Sequence, residues 1–244
     1  MVAALPFEAQ CLGVLLRGTG DLSHLADGTL VRISGMGGER AAQAARHLIA
    51  AGAGALLSWG VAGALDPSLR SGMVVLPTAV ARCAGGAASG PTEQFSTSSI
   101  WRERVAAALL RHVPTAGGTL WTAAAPVTEI ERKASLFQAT GAVAVDMESA
   151  AVAELAEVYG LPFLAVRVIV DTAHDAVPER ILRALNPEAP AWGRLRASWP
   201  LLAHPPDWIR LLKLAWGYRR ARGGLRTCAR WGEPTRLGDG AGVH

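Results

Sequence analysis

Cysteine is scarce in this chain. Cys11, Cys83 and Cys228 are odd in number and far apart. That excludes a disulfide framework, gives no ligand set for a metal, and points to a reducing compartment. Also missing is any apolar run both long enough and free enough of charge to cross a bilayer. No basic segment precedes the first apolar residues, so no secretory signal is expected and the cytoplasm is the expected location. The glycine turn Gly35-Met-Gly-Gly38 does not meet the spacing of a dinucleotide-binding loop, so no nicotinamide cofactor is expected. Charged residues make up only 18% of the 244 residues and apolar ones 50%. A chain of that length and balance can bury a large core, in one α/β domain with or without an appendage.

The charge that is present is unevenly spread. Residues 1–193 carry a balance of −3 and residues 194–244 a balance of +7. The composition shifts near Asn186, so a domain is expected over 1–190 and a Trp/Arg-rich extension over 191–244. In the extension, Asp207 to Arg222 reads as a helix with an Asp cap. Trp208, Ile209, Leu212, Ala215 and Trp216 form its apolar side, and Arg210, Lys213, Arg219, Arg220 and Arg222 supply charge. That pattern fits a helix lying on the anionic inner face of a membrane. It fits equally a helix docked on the acidic body. A basic tail without a recognised fold is poor support for nucleic acid as partner. From Gly223 to His244 partial disorder is expected.

The most informative stretch is Gly141 to Thr172. Ala142–Val145 is a short apolar run. From Met147 apolar residues recur at helical spacing (Ala150, Ala151, Leu155, Val158), and Gly160 with Pro162 ends that helix. Phe163–Val170 then reads as a strand buried on both faces. Glu148, placed in the first helical turn, and Asp171, at the end of the second strand, both fall at carboxyl ends of strands, where open α/β sheets bind ligands. A third acid, Glu8, follows the short apolar strand Met1–Leu5.

Other elements follow in order. Thr29–Ser34 alternates as a strand and leads through the glycine turn, including Gly37, into the helix Glu39–Ala51. Such glycines free backbone N–H groups to meet an anion or a ligand hydroxyl. Ala55–Trp59 is a buried strand ending in Gly60-Val-Ala-Gly-Ala-Leu65. Residues 83–99 read as a loop, a lid or a subunit contact. Ile100–His112 is helical, and a strand lies within Gly117–Val127. Lys133, flanked by Glu129 and Glu131, reads as part of a solvated helix face. His174 reads as an ordinary loop histidine, and Pro178 starts a helix through Leu185.

Val145-Asp-Met-Glu-Ser149 followed by Val166-Arg-Val-Ile-Val-Asp171 resembles the signature of the purine nucleoside phosphorylase and methylthioadenosine/S-adenosylhomocysteine nucleosidase superfamily. Lys133-Ala-Ser-Leu-Phe137 with Thr140-Gly-Ala-Val-Ala-Val-Asp-Met-Glu-Ser149 resembles its hopanoid-associated branch. The resemblance spans roughly residues 3 to 180. It implies a three-layer α/β/α fold around a mixed, partly barrel-like sheet, here with a basic helical tail. It implies cleavage of the N-ribosyl bond of a purine nucleoside by a homo-oligomer, with no cofactor beyond phosphate as co-substrate in a phosphorylase. In that chemistry Asp171 is the acid for the purine and Glu8 the base for water. Glu148 accepts the ribose diol, Met147 packs on the sugar, and Val127 and Thr128 face the base. Gly60 and Val61 sit where the family holds its nucleophile. Val61 replaces a family serine, and Ser58 stands where phosphorylases carry an arginine. Both departures, and a carboxylate at Glu8, favour water over phosphate.

The branch resemblance implies adenosylhopane as substrate and ribosylhopane with adenine as products. Methylthioadenosine or S-adenosylhomocysteine cleavage and phosphorolysis stay open beside it. So does a non-catalytic lipid-binding protein on an old enzyme fold.

Overall fold

The computed structural model describes residues 1–84, 92–177 and 205–236. Among these the elements run β1 (Val2–Ala3), α1 (Pro6–Gln10), β2 (Leu22–His24), β3 (Leu30–Ile33), α2 (Gly38–Ala50), β4 (Leu56–Ala64), β5 (Val74–Val75), β6 (Ala79–Cys83), β7 (Thr92–Ser96), α3 (Ser99–Leu109), β8 (Thr115–Ala116), β9 (Thr119–Thr122), α4 (Ile130–Thr140), β10 (Ala144–Asp146), α5 (Ser149–Val158), β11 (Phe163–Ile169) and α6 (Pro205–Trp231). The expected helix after Pro178 lies outside the described residues.

The strands join one mixed sheet. Its main path is β2-β3-β1-β4-β10-β9-β6-β7, and β11, β5 and β8 branch from β4. β4 is the pivot. Its first part pairs in parallel with β1 and β11, and Gly63 and Ala64 at its end pair antiparallel with β10. It runs on through the Gly60-Val-Ala-Gly segment, past the expected strand Ala55–Trp59.

Alternation along β11 sorts the layers. Leu164, Val166 and Val168 enter the core shared with α1, α3 and α6, while Phe163, Ala165 and Ile169 enter the core under α2 and α5. Side chains alternate across a strand, so Arg167 falls on the α2/α5 side, between Ala165 and Ile169. The mixed sheet between two helical layers is the architecture the sequence implied.

Further expectations about the elements change. Part of the 83–99 segment is strand: β7 pairs antiparallel with β6, Phe95 opposite Val80. α5 begins at Ser149, which makes Glu148 its N-cap residue and not part of its first turn. The tail is helical well past Gly223. Leu214, Ala221, Leu225 and Cys228 are buried against the body, and Trp101 Nε1 donates to the Pro234 carbonyl at 2.9 Å. The glycines that weaken a lone helix are what lets this one approach. A Cβ on Gly217 would stand 2.2 Å from the Val170 carbonyl oxygen. Burial therefore offsets the ~1 kcal/mol propensity cost of each glycine. The outward face of α6 keeps Leu212 (71% exposed) and Trp216 (55%) in solvent, with Lys213, Arg219, Arg220, Arg222, Arg226 and Arg230 around them. Among the described residues no helix is long and apolar enough to cross a membrane.

Candidate active site

Pro6 fixes φ for the first turn of α1, and that turn carries Glu8 back over the end of β1. Its Oε2 accepts from the amides of Ala4 (2.9 Å) and Leu5 (2.8 Å), and its Oε1 from the amide of Val61 (3.0 Å). The carboxylate lies on the bare backbone of Gly60, where a Cβ would meet Oε1 at 2.4 Å. Only glycine fits under it. Burial pushes the Glu8 carboxyl above its ordinary range, and Arg167 with the three amides opposes this.

Glu148 is held from the neighbouring turn. Its Oε1 accepts from the Gly37 amide at 2.8 Å and its Oε2 from the Met147 amide at 3.3 Å. Gly37 has φ of +101°, a backbone state that suits glycine. Its N–H, expected to meet a ligand, is thus engaged by Glu148. Burial, then the nearby Asp146 carboxylate, push Glu148 up to about 7, with Arg167 and the Gly37 amide opposing.

Between these acids sits Arg167, which the sequence reading did not single out. It is fully buried, and its Nε donates to Asp146 Oδ2 at 2.8 Å. Its Nη2 donates to Ser58 Oγ at 2.7 Å and Ser149 Oγ at 3.0 Å. Asp146 also accepts from Thr122 Oγ1 at 2.7 Å and the Ser149 amide at 3.1 Å. One guanidinium therefore serves a buried group of acids, as its fork of donors permits. The signal in the sequence was a lone cation inside an apolar strand.

Asp171 follows β11 and rests over Gly63, where a Cβ would stand 3.2 Å from Oδ2. Gly60 and Gly63 are three residues apart on β4, a rise of roughly 10 Å along the strand. Asp171 is ion-paired with Lys133. Here the solvated-face expectation fails. Lys133 is 0% exposed, and its Nζ also donates to the carbonyls of Thr172 and Asp175, both at 2.8 Å. A carboxylate and two carbonyls replace the water such an ammonium would lose. Burial pushes the Asp171 carboxyl up and Lys133 opposes it.

Tyr218 of α6 links the two ends of the site. Its ring meets Phe7 edge-on at 5.5 Å, and its neighbour Gly217 abuts Val170, the residue before Asp171. Burial, with Glu8 and Asp171, pushes its hydroxyl up to about 12.

Two cavities flank this cluster. One of about 150 Å³ is lined by Asp171, His174, Asp175, Val177, Lys213 and Leu214 among others. The other, about 200 Å³, is lined by Ala4, Leu5, Pro6, Arg17, Gly35 and Met36 among others. Neither is lined by Glu8 or Glu148. Ala4 and Leu5, whose amides hold Glu8, line the second cavity, as do Gly35 and Met36, which precede the Gly37 that holds Glu148. Val127 and Thr128 line neither. Val127 is in a small core with Leu65, Trp121 and Val145, and the Thr128 carbonyl accepts from the Val177 amide at 2.9 Å. Met147 is half-buried beside Glu148, and His174 is exposed at the rim.

A profile of the Phosphorylase superfamily matches residues 24–188. No curated protein sequence matches the chain. Among solved structures, the fold is similar to 5'-methylthioadenosine/S-adenosylhomocysteine nucleosidase from Neisseria meningitidis in complex with methylthio-immucillin-A. That match has a TM-score of 0.68 at 18% identity, over 96% of this chain and 97% of that one. The nucleosidase of the same name from Helicobacter pylori gives a TM-score of 0.66 at 18% identity, over 94% and 93%. Native futalosine hydrolase of Helicobacter pylori gives 0.64 at 18% identity, over 94% and 95%.

Proposed function

Since this chain belongs to the phosphorylase superfamily, we propose that it cleaves the N-ribosyl bond of a purine nucleoside and releases adenine, with water as the nucleophile. One observation carries this: three carboxylates stand just past strands, Glu8 buried and held by the Ala4 and Leu5 amides after β1, Glu148 buried and held by the Gly37 amide after β3, and Asp171, half-buried after β11, held by Lys133 of α4. Cleavage builds positive charge on the ribose and negative charge on the base. Asp171 protonates the leaving purine at N7, the C–N electron pair passes to the base, and the carboxylate remains. Glu148 accepts from the ribose hydroxyls and offsets the oxocarbenium charge. Glu8 takes the proton of the attacking water.

Water is favoured because the groups that would hold phosphate are engaged elsewhere. Arg167 is spent on Asp146 and two serines, Gly37 N–H on Glu148, and Val61 offers only an amide, already donated to Glu8. The finer substrate in this proposal is a lipid-linked adenine nucleoside, adenosylhopane, turned over to ribosylhopane. Its support is the exposed Leu212 and Trp216 within a row of cations, on the helix whose Lys213 and Leu214 wall the Asp171 cavity. That face suits contact with an anionic lipid surface. A homo-oligomer belongs to the same proposal.

The test is adenine release from a 5'-alkyl adenosine in anionic vesicles, from methylthioadenosine and from adenosine, with and without phosphate. Free ribose derivative, formed without phosphate and fastest on the alkyl substrate, is expected. A strict phosphate requirement with ribose-1-phosphate as product ends the hydrolytic mechanism. Methylthioadenosine as the best substrate ends the lipid-linked one.

The pH dependence has a definite sign. Glu148 must be ionised to accept two ribose hydroxyls, and its carboxyl lies near 7. So kcat/KM is expected to rise through that pH on the acid side, and Glu148→Gln should lose this limb along with most of the affinity for ribose. An acid limb that survives the substitution unchanged assigns the titration to another group.

A further inference from the structure

Lys133 is one of only two lysines in a chain with 24 basic residues, and it is wholly buried. Burying an ammonium costs several kcal/mol, and an apolar side chain of similar volume often serves stability as well or better. Its three N–H donors are all taken, by Asp171 Oδ2 and the carbonyls of Thr172 and Asp175. No donor is left for a substrate.

We propose that Lys133 is a positioning residue for Asp171: it fixes one carboxylate oxygen and the loop 171–175, leaves Oδ1 for the purine, and stabilises the carboxylate formed when the proton leaves. This rests on the assignment of Asp171 as the acid. The step balances without a change in Lys133. Asp171 passes its proton to N7, the bond electrons go to the base, and Lys133 stays an ammonium beside the new carboxylate.

The surroundings leave this role to Lys133. The titratable and charged groups facing Asp171 are Lys133 from α4, His174 and Asp175 from the following loop, and Lys213 and Tyr218 from α6. β4 offers only Gly63. Lys213 points its charge to Asp175 at 3.8 Å, and Asp175 adds repulsion to Asp171. Burial pushes the Asp171 carboxyl above its ordinary range, and Lys133 opposes this. The buried ammonium makes Asp171 a stronger acid, nearer the strength general acid catalysis needs.

The experiment is a pH profile of kcat for adenine release by the full-length chain. In Lys133→Met the basic limb, set by loss of the Asp171 proton, should move to higher pH by about 1–3 units. At the same time kcat should fall, by less than the about 10²–10⁴-fold expected on losing the acid itself. Lys133→Arg, which keeps the charge, should leave the limb near its wild-type place. Lys133→Gln keeps donors for the carbonyls without the charge and must shift the limb too, so the test survives a methionine variant that does not fold. In an Asp171→Asn background, Lys133→Met should cost no further activity. A limb that ignores Lys133, or an equal fold-loss in that background, overturns the inference while the enzyme stands. A wild type that releases no adenine from any purine nucleoside overturns both.

Discussion

Asp171→Asn is expected to lower kcat for adenine release by about 10²–10⁴-fold, the usual worth of a general acid. KM should change little, because an amide keeps the shape and still accepts from Lys133. An amide has no proton to give to N7 at neutral pH, so the departing purine must leave as a far poorer leaving group. The fold should persist, since Lys133 retains two carbonyl partners. Melting and circular dichroism of the variant verify that. Substrates that leave readily without protonation, such as nucleosides of strongly electron-poor bases, should be much less affected than adenine nucleosides. A kcat within about threefold of wild type on an adenine nucleoside, in a folded variant, removes Asp171 from the mechanism. The non-catalytic lipid-binding alternative is excluded by the same pair of measurements, since it predicts no release from either protein.

Arg167→Met is expected to cost about 3–5 kcal/mol of stability, as when one partner of a buried ion pair is removed. For a chain of this size that is a fall of roughly 6–20 °C in Tm. The reason is what stays behind. Asp146 loses its pairing cation and two donor contacts at 2.8 Å. Glu8 and Glu148 lose the charge that opposes their burial. The sign with pH follows. Carboxyls whose folded value is raised bind protons more tightly folded than unfolded. Their contribution is therefore present at low pH and is lost as pH rises from the ordinary 4.5 of a glutamate towards the folded value, about 7 for Glu148 in the wild type. Without Arg167 these values rise further, so the deficit of the variant should shrink as pH falls from 8 towards 5. Unfolding in denaturant across that range measures it. A deficit below about 1 kcal/mol, or one that does not vary with pH, means that solvent reaches these acids and the group is not the closed network described.

How much of this was legible from residues alone varies with the range of the interaction. The strand at Phe163, the helix ended by Gly160 and Pro162, and the alternation at Thr29–Ser34 all depend on neighbours in the chain, and all three formed nearly as expected. So did the placement of Glu8, Glu148 and Asp171 at strand ends, which needs only the order of elements. The tail is left equally open by residue order, as a helix on a membrane or a helix docked on the body, with partial disorder from Gly223, because Gly223, Gly224 and the arginines are poor local signals. Its burial depends on a carbonyl of Val170 and a bare backbone at Gly72, which lie far away in sequence. Lys133 misled for the same reason. Its neighbours Glu129 and Glu131 are exposed, while the groups that receive its charge lie some forty residues on.

The order of apolar and polar residues determined the elements, the α/β class and which acids stand at the ends of strands, because periodicity and turn chemistry act over a few residues. Tertiary packing alone decided which cation faces which acid: Arg167 for Asp146, Glu8 and Glu148, and Lys133 for Asp171. Charges select partners across space, in surroundings where water no longer screens them, and chain order carries no record of that.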